Sequence, residues 1–82
     1  MLMLLALLAQ DAGGVAECRA RPAEALVGEH YRRHVPTRAK KLSGARSVRV
    51  MWPGEMATMD FRPDRLNLRV NYRRVITAVS CG

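Results

Sequence analysis

The sequence has few aromatic residues, few acidic residues and only two cysteines. Its 82 residues include one Trp, two Tyr and one Phe, which leaves little material for the aromatic platforms on which nucleic-acid bases stack. Seven acidic residues stand against 14 basic ones, and the net charge is +7. A chain of this length forms one domain, which is only marginally stable unless a cross-link supports it.

No apolar run is long enough to cross a bilayer. The longest is MLMLLALLA at 1–9, whereas a transmembrane helix needs about 20 apolar residues. Such a run, followed by the small residues of 12–16, is typical of a secretory signal peptide; a buried helix is the alternative. We predict a signal peptide over 1–16 and a secreted or periplasmic mature domain over 18–82 without a membrane segment. The basic residues that usually precede such a run are missing, which leaves open a start codon upstream of Met1.

Cys18 and Cys81 bracket nearly all of the chain that is expected to fold. An exported chain meets an oxidising compartment, where these cysteines can pair; closing a loop of about 64 residues stabilises a domain by about 4 kcal/mol in the chain-entropy model. Two free thiols are the alternative. His30 and His34 stand four apart, as metal ligands on a helix do, but Pro36 and the surrounding arginines favour exposed histidines, so no metal or cofactor is expected.

Hydrophobic periodicity predicts a short helix in VPTRAKKLSGA at 35–45. Val35, Ala39 and Leu42 fall at i, i+4 and i+7 and therefore share one face. Gly44 is placed to end the helix. The segment before this helix is predicted to be an irregular arm with two apolar anchors, Leu26 and Val27.

Alternating apolar residues predict three half-buried strands, SVRVMW at 47–52, LNLRV at 66–70 and VITAV at 75–79. In the third strand, Ile76 and Ala78 are expected on one side. Asn71 is expected to open the turn before this strand, because Asn tolerates left-handed backbone. A helix covering one face of the sheet gives a small two-layer α+β domain.

The connection from Pro53 to Asp64 is longer than a hairpin needs. A long loop in a compact domain is usually functional. From spacing alone, ATMDFRPDRLN at 57–67 is interpreted first as a polar surface loop that carries a methionine. It also fits a substrate-like protease inhibitor, which needs a rigid loop that offers one exposed side chain, here Met59, to a specificity pocket.

Longer motifs carry a resemblance to two families of protease inhibitors. TMDFRPDRL resembles the reactive loop of the potato inhibitor I family of serine-protease inhibitors. CRARPAEALVG, AKKLSGA, PGEMATMDFRPDRLN and ITAVSCG together are similar to the small secreted elastase inhibitors of peptidase inhibitor family seventy-eight, over residues 18–82. The resemblance implies a potato-inhibitor-I-like fold, with one helix on a mixed three-stranded sheet and a long exposed loop between two parallel strands. It also implies a Cys18–Cys81 disulfide.

The resemblance further implies inhibition of a serine protease. Met59 is apolar and of medium length, which suits proteases of elastase, chymotrypsin or subtilisin type, and we expect the inhibitor to be a monomer. Met59 matches the primary-specificity residue and Met59–Asp60 the scissile bond. Arg65 matches a loop-supporting arginine, and Asn67 stands where potato-type members often carry a second one. The residues that would form the protease-binding loop are Thr58, Met59, Asp60, Phe61 and Arg62.

Two segments depart from the family pattern. EHYRRHVPTR at 29–38 replaces a Thr-Pro that more often opens an apolar helix several residues earlier, and Pro36 should shorten the helix at its front. NYRR at 71–74 lacks the acid and the glycine expected in that turn. These departures affect local stability more than they affect the identity of the loop.

Other functions are less well supported by the residues. The charge favours nucleic-acid binding, but the arginines are dispersed along the sequence and aromatic residues do not alternate with them, so no nucleic-acid partner is expected. Ser43 and Ser80 have no evident base partner, so the chain is not expected to be an enzyme. The alternative that we keep is a non-inhibitory, basic, envelope-associated domain of the same fold, which an inhibition assay distinguishes.

Export predicts a shortened chain with an oxidised cysteine pair. The intact mass of protein recovered from the medium or the periplasm should lack the leader and should not increase after alkylation without reductant. A full-length species with two alkylatable thiols would contradict this prediction.

Overall fold

One helix lies on a three-stranded sheet in the computed structural model of the chain, which describes residues 18–55 and 60–82. The elements are α1 at Ala20–Ala23, a 3₁₀ turn at Glu24–Leu26, α2 at Val35–Ser43, β1 at Ser47–Met51, β2 at Arg65–Val70 and β3 at Ile76–Cys81. The central strand β2 pairs parallel with β1 and antiparallel with β3. The predicted α+β class, the mixed sheet and the long connection between parallel strands are thereby confirmed. The signal peptide predicted for 1–16 lies outside the described residues.

The helix α2 forms within the segment where periodicity predicts it. Pro36 lies in its first turn, where a missing N–H needs no intrahelical acceptor. Gly44 ends the helix with φ 71°, and its N–H donates to the Lys40 carbonyl at 2.8 Å. Val35 and Ala39 are buried. The apolar face predicted from the sequence is therefore the face that packs on the core.

The core lies between the helices and one face of the sheet. The strand β2 contributes Leu66, Leu68 and Val70, which are at most 2% exposed, because alternate residues of a strand point to the same face. The remaining members of the buried cluster are Ala23, Leu26, Val35, Ala39, Ala45 and Ile76.

The N-terminal arm is more regular than predicted, and only one of its two expected anchors is buried. Ala23 and Leu26 have no exposed surface, whereas Val27 is 43% exposed. The chain leaves the 3₁₀ turn at Val27 in an extended conformation, with φ −66° and ψ 129°. The expectation that Val27 anchors the arm is therefore wrong, and the turn of Leu26 toward the core leaves its neighbour facing solvent.

A β-bulge changes which residues of β3 face the core. Val70 pairs with Ile76 and Arg69 with Ala78, so Thr77 has no residue opposite it. An extra residue of this kind shifts the alternation of the strand. Ile76 is buried but Ala78 is exposed, which corrects the expectation that the two share one side.

Asn71 opens the turn between β2 and β3 through its side chain, not through left-handed backbone. Its Oδ1 accepts the N–H groups of Arg73 at 2.9 Å and Val75 at 3.0 Å. The residue with left-handed backbone is Arg74, at φ 64°. An Asn side chain that mimics a backbone acceptor explains why the turn closes without a glycine.

Cys18 and Cys81 form the disulfide that the resemblance implies. Their Cα atoms lie 5.8 Å apart, and the bond joins positions 63 residues apart in sequence. It ties the chain just before α1 to the last residue of β3. Within 18–55 and 60–82, no helix has the length and apolar character needed to span a membrane.

Leu26→Ala should destabilise the domain far more than Val27→Ala. Removing a fully buried leucine side chain costs about 2–5 kcal/mol in the free energy of unfolding, whereas an exposed substitution usually costs about 0.5 kcal/mol or less. Urea unfolding of the disulfide-intact variants measures the difference. Equal losses at the two positions would contradict the burial described here.

Candidate functional site

Hydrogen bonds fix both ends of the connection between β1 and β2. At its start, the Trp52 N–H donates to Glu55 Oε1 at 2.7 Å, and the Glu55 N–H donates to the Trp52 carbonyl at 3.1 Å. These two bonds close the Pro-Gly turn that begins the loop. At its end, the Arg46 N–H donates to the Asp64 carbonyl at 2.8 Å. The connection therefore leaves and rejoins the sheet at defined positions.

Two arginines hold Asp60. Arg65 donates from Nη2 to the Asp60 carbonyl at 2.9 Å and from Nη1 to the carboxylate Oδ2 at 3.3 Å. Arg62 Nε lies 3.7 Å from the same Oδ2. The Arg65 side chain is 11% exposed and that of Arg62 is 64% exposed. Because water screens exposed ion pairs, the contact made by Arg65 is the stronger of the two.

The carbonyl of Gly82 is a second acceptor for Arg65. The Arg65 Nε donates to it at 3.0 Å, and the Asn67 amide nitrogen donates to it at 3.1 Å. In the other direction, the Gly82 N–H donates to the Arg65 carbonyl at 2.9 Å. One guanidinium thus connects the loop at Asp60 to the segment that follows β3. The Asn67 Oδ1 is buried, and none of the described residues donates a hydrogen bond to it.

Gly82 also makes close contact with the loop through Phe61. A Cβ atom built on Gly82 would lie 2.8 Å from Cε1 and 3.0 Å from Cδ1 of the Phe61 ring. Its φ is 136°, which favours glycine. Phe61 is otherwise 73% exposed, so the ring rests on Gly82 at the surface and not in the core. Cys81 precedes Gly82, and the disulfide therefore lies one residue from these contacts.

The structure brings together five of the residues singled out from the sequence. Phe61, Arg65 and Asn67 contact Gly82 directly. Asp60 joins them through Arg65, and Arg62 lies beside the Asp60 carboxylate.

The other two residues predicted for the protease-binding loop are not among the residues that the structure describes. These are Thr58 and Met59; Met56 also lies outside the described residues. Sequence reasoning missed Gly82; the available signal was a glycine directly after a paired cysteine. The two histidines, His30 and His34, are exposed, as expected.

The sequence pattern of the peptidase inhibitor I78 family matches residues 18–82, the whole of the folded domain. The chain belongs to the peptidase inhibitor I78 family. Membership identifies it as a protease inhibitor and not an enzyme. Ser43 has a structural role in this fold, since it is buried and its hydroxyl donates to the Ala39 carbonyl at 2.7 Å.

Solved structures of other inhibitors are similar to the I78 domain described here. The structure of the elastase inhibitor AFUEI is 30% identical, with a TM-score of 0.55 and coverage of 70% of this chain and 78% of that one. A bitter gourd trypsin inhibitor is 23% identical, with a TM-score of 0.59 and coverage of 80% and 98%; at this identity the likeness supports the fold alone. No curated protein sequence matches the chain closely enough to support an argument.

Gly82→Ala should displace the Phe61 ring. The added methyl group would overlap Phe61 Cε1, whereas Gly28→Ala adds a methyl group at a position that also has positive φ but has no atom within 4 Å. Because Phe61 is the only phenylalanine, a fluorine label on Phe gives one NMR signal. We expect this signal to move in Gly82→Ala and to stay in place in Gly28→Ala. The same shift in both variants, or none in either, would contradict the contact.

Proposed function

We propose that the chain inhibits a serine protease in a substrate-like manner through loop 53–64. In this proposal, Met59 enters the primary pocket of the protease, Met59–Asp60 is the scissile bond, and Thr58, Phe61 and Arg62 flank it in the cleft. The observation that carries the proposal is the double contact of Arg65 with the carbonyl and the carboxylate of Asp60.

A loop held at Asp60 in this way binds tightly and is also cleaved slowly. An extended segment that is already ordered loses little conformational entropy when it enters a protease cleft. If the protease serine attacks the Met59 carbonyl, the amine of Asp60 becomes the leaving group. Arg65 holds that residue, so the amine stays next to the acyl-enzyme and can re-form the peptide bond faster than water replaces it. Hydrolysis is then slow although binding is tight.

The side chain proposed for the pocket indicates the class of target. Met59 is unbranched, apolar and of medium length, which suits the pockets of elastase-, chymotrypsin- and subtilisin-like enzymes. It has no charge to pair with an acidic pocket floor of trypsin type. The similar structure at 30% identity is that of an elastase inhibitor, which agrees with this choice.

We further propose that the inhibitor acts as a monomer in a secreted or periplasmic location. The Cys18–Cys81 disulfide is of the kind that persists in oxidising compartments. A non-inhibitory envelope-associated domain is the alternative. Progress curves against elastase, subtilisin, chymotrypsin and trypsin decide between them, because the alternative predicts inhibition of none.

Arg65→Ala should weaken inhibition and convert the protein into a faster-cleaved substrate. A hydrogen bond to a charged group contributes about 1.5–3 kcal/mol, so a loss of affinity of about ten- to a hundredfold is expected. Arg69→Ala is the matched control, because it removes the same charge from an exposed position of the same strand, outside loop 53–64, and should cost about fivefold at most. Inhibition constants and the rate of loop cleavage are measured for both variants. Equal effects at the two positions would rule out the bracing role of Arg65.

Met59→Lys should shift specificity toward trypsin and away from elastase. A lysine pairs with the acidic floor of a trypsin-type pocket and leaves its charge unpaired in an apolar one. Met56→Lys is the control, since Met56 is also an apolar residue of the loop but has no Thr and Asp beside it. Both variants are titrated against both enzymes. If Met56→Lys moves the specificity and Met59→Lys does not, the scissile bond is wrongly assigned.

A further inference from the structure

Two arginine pairs that are distant in sequence meet at one end of the fold. His30 and Val75 form an antiparallel β-bridge. Beside it, the Tyr31 N–H donates to the Arg74 carbonyl at 2.7 Å, and the Ile76 N–H donates to the Glu29 carbonyl at 2.9 Å. The pairing sets the pair at 32–33 next to the pair at 73–74. Charges that look dispersed along the sequence are therefore concentrated in space.

This surface carries little opposite charge. The segments 30–34 and 69–74 contain five arginines and no acidic residue. The nearest acid along the chain, Glu29, pairs with Arg38 at 2.9 Å. The arginines of both pairs are exposed, and none of them belongs to a salt bridge within 18–55 and 60–82. Positive charge at this end is thus available to a partner.

The fold holds this charge in a fixed arrangement. The Asn71 side chain closes the turn with two hydrogen bonds. Arg74 keeps left-handed backbone, φ 64°, a conformation that is costly for a residue with a Cβ. Its guanidinium lies 5.4 Å from the centre of the Trp52 ring, and Tyr31 packs edge-on against the same ring at 5.0 Å. Side-chain contacts thus hold the turn closed although it contains no glycine.

Tyr72 projects from the same turn. It is 88% exposed and precedes Arg73, so an aromatic ring stands among the guanidinium groups at the tip of a hairpin. Tyrosine combines an apolar ring with a polar hydroxyl, which is why it is favoured at the boundary between membrane and water. Packing against the described residues buries little of this ring.

The surface lies away from the contacts of Asp60. The turn at 71–74 follows the last residue of β2, whereas Arg65, which holds Asp60, is the first residue of the same strand. Five steps of about 3.3 Å separate the ends of a strand of this length, or roughly 17 Å. A partner bound at the turn therefore leaves the Asp60 end free.

We propose that this surface, the basic end, docks the protein on an anionic phospholipid membrane. The basic end consists of Arg32, Arg33, Tyr72, Arg73 and Arg74. Arginines near an anionic leaflet bind phosphate head groups, and Tyr72 enters the boundary region between them. A hairpin tip reaches a flat surface, whereas a polyanion chain is usually held in a groove. The inference does not depend on the proposed scissile bond.

Vesicle binding by the full chain tests the basic end. Protein purified from the medium or the periplasm is sedimented with vesicles of phosphatidylcholine alone or with phosphatidylglycerol added. The basic-end variant carries Arg32→Gln, Arg33→Gln and Arg73→Gln; Arg74 stays, because it packs on Trp52. A matched variant also lowers the net charge by three, at exposed positions outside the basic end: Arg21→Gln, Lys40→Gln and Lys41→Gln. The two variants have the same N-terminus.

The wild type should bind only vesicles with anionic lipid. Each arginine near such a surface contributes about a fivefold factor, so the basic-end variant should lose on the order of a hundredfold and the matched variant much less. Tyr72→Ser should weaken binding several-fold, and this loss should persist at high salt, because salt does not screen apolar insertion. The basic-end variant should still inhibit its protease.

Four results would overturn the proposal. These are equal losses in the two charge variants, equal binding of neutral vesicles, binding of DNA or a sulfated polysaccharide in place of vesicles, and a loss of protease affinity without any vesicle binding. The last result would assign the basic end to the protease contact.

Discussion

The Arg65 guanidinium joins two parts of the chain that are 22 positions apart, Asp60 in the loop and Gly82 after the last strand. Asp60 is exposed and belongs to no element of the sheet, and Gly82 lies beyond the end of β3. Arg65 bonds both residues and so links the loop to the segment after β3. The Cys18–Cys81 bond fixes the residue next to Gly82, so the cross-link that stabilises the domain as a whole also fixes the acceptor on which the loop support depends.

The central strand separates two kinds of surface. Its first residue, Arg65, is 11% exposed. Its guanidinium bonds Asp60 and Gly82, so its charge serves contacts within the protein. The turn after its last residue carries arginines that face solvent. The two segments that depart from the resembled family pattern, 29–38 and 71–74, are the two that pair at this turn. Their basic residues therefore lie close together in the fold, although the two departures are far apart in sequence.

Hydrophobic periodicity predicted an element correctly where the same period runs through the whole element. The spacing of Val35 and Ala39 located α2, and the alternation in β2 located its buried face. It failed where a local irregularity changes that period: the bulge at Thr77 turned Ala78 outward, and the end of the 3₁₀ turn exposed Val27. Spacing along the chain also carries no sign that Gly82 lies against Phe61, because only the path of β3 beside β2 brings them together.

Burial decides which of the polar contacts can hold a loop in so small a domain. Arg62 and Arg65 share one half-exposed carboxylate, but only the Arg65 side chain is itself largely buried, and a hydrogen bond gains strength as the local dielectric falls. Asn67 extends this support: its amide nitrogen donates to the Gly82 carbonyl, and no described residue donates to its buried Oδ1. The Gly82 carbonyl, which Arg65 also bonds, is therefore held from two sides.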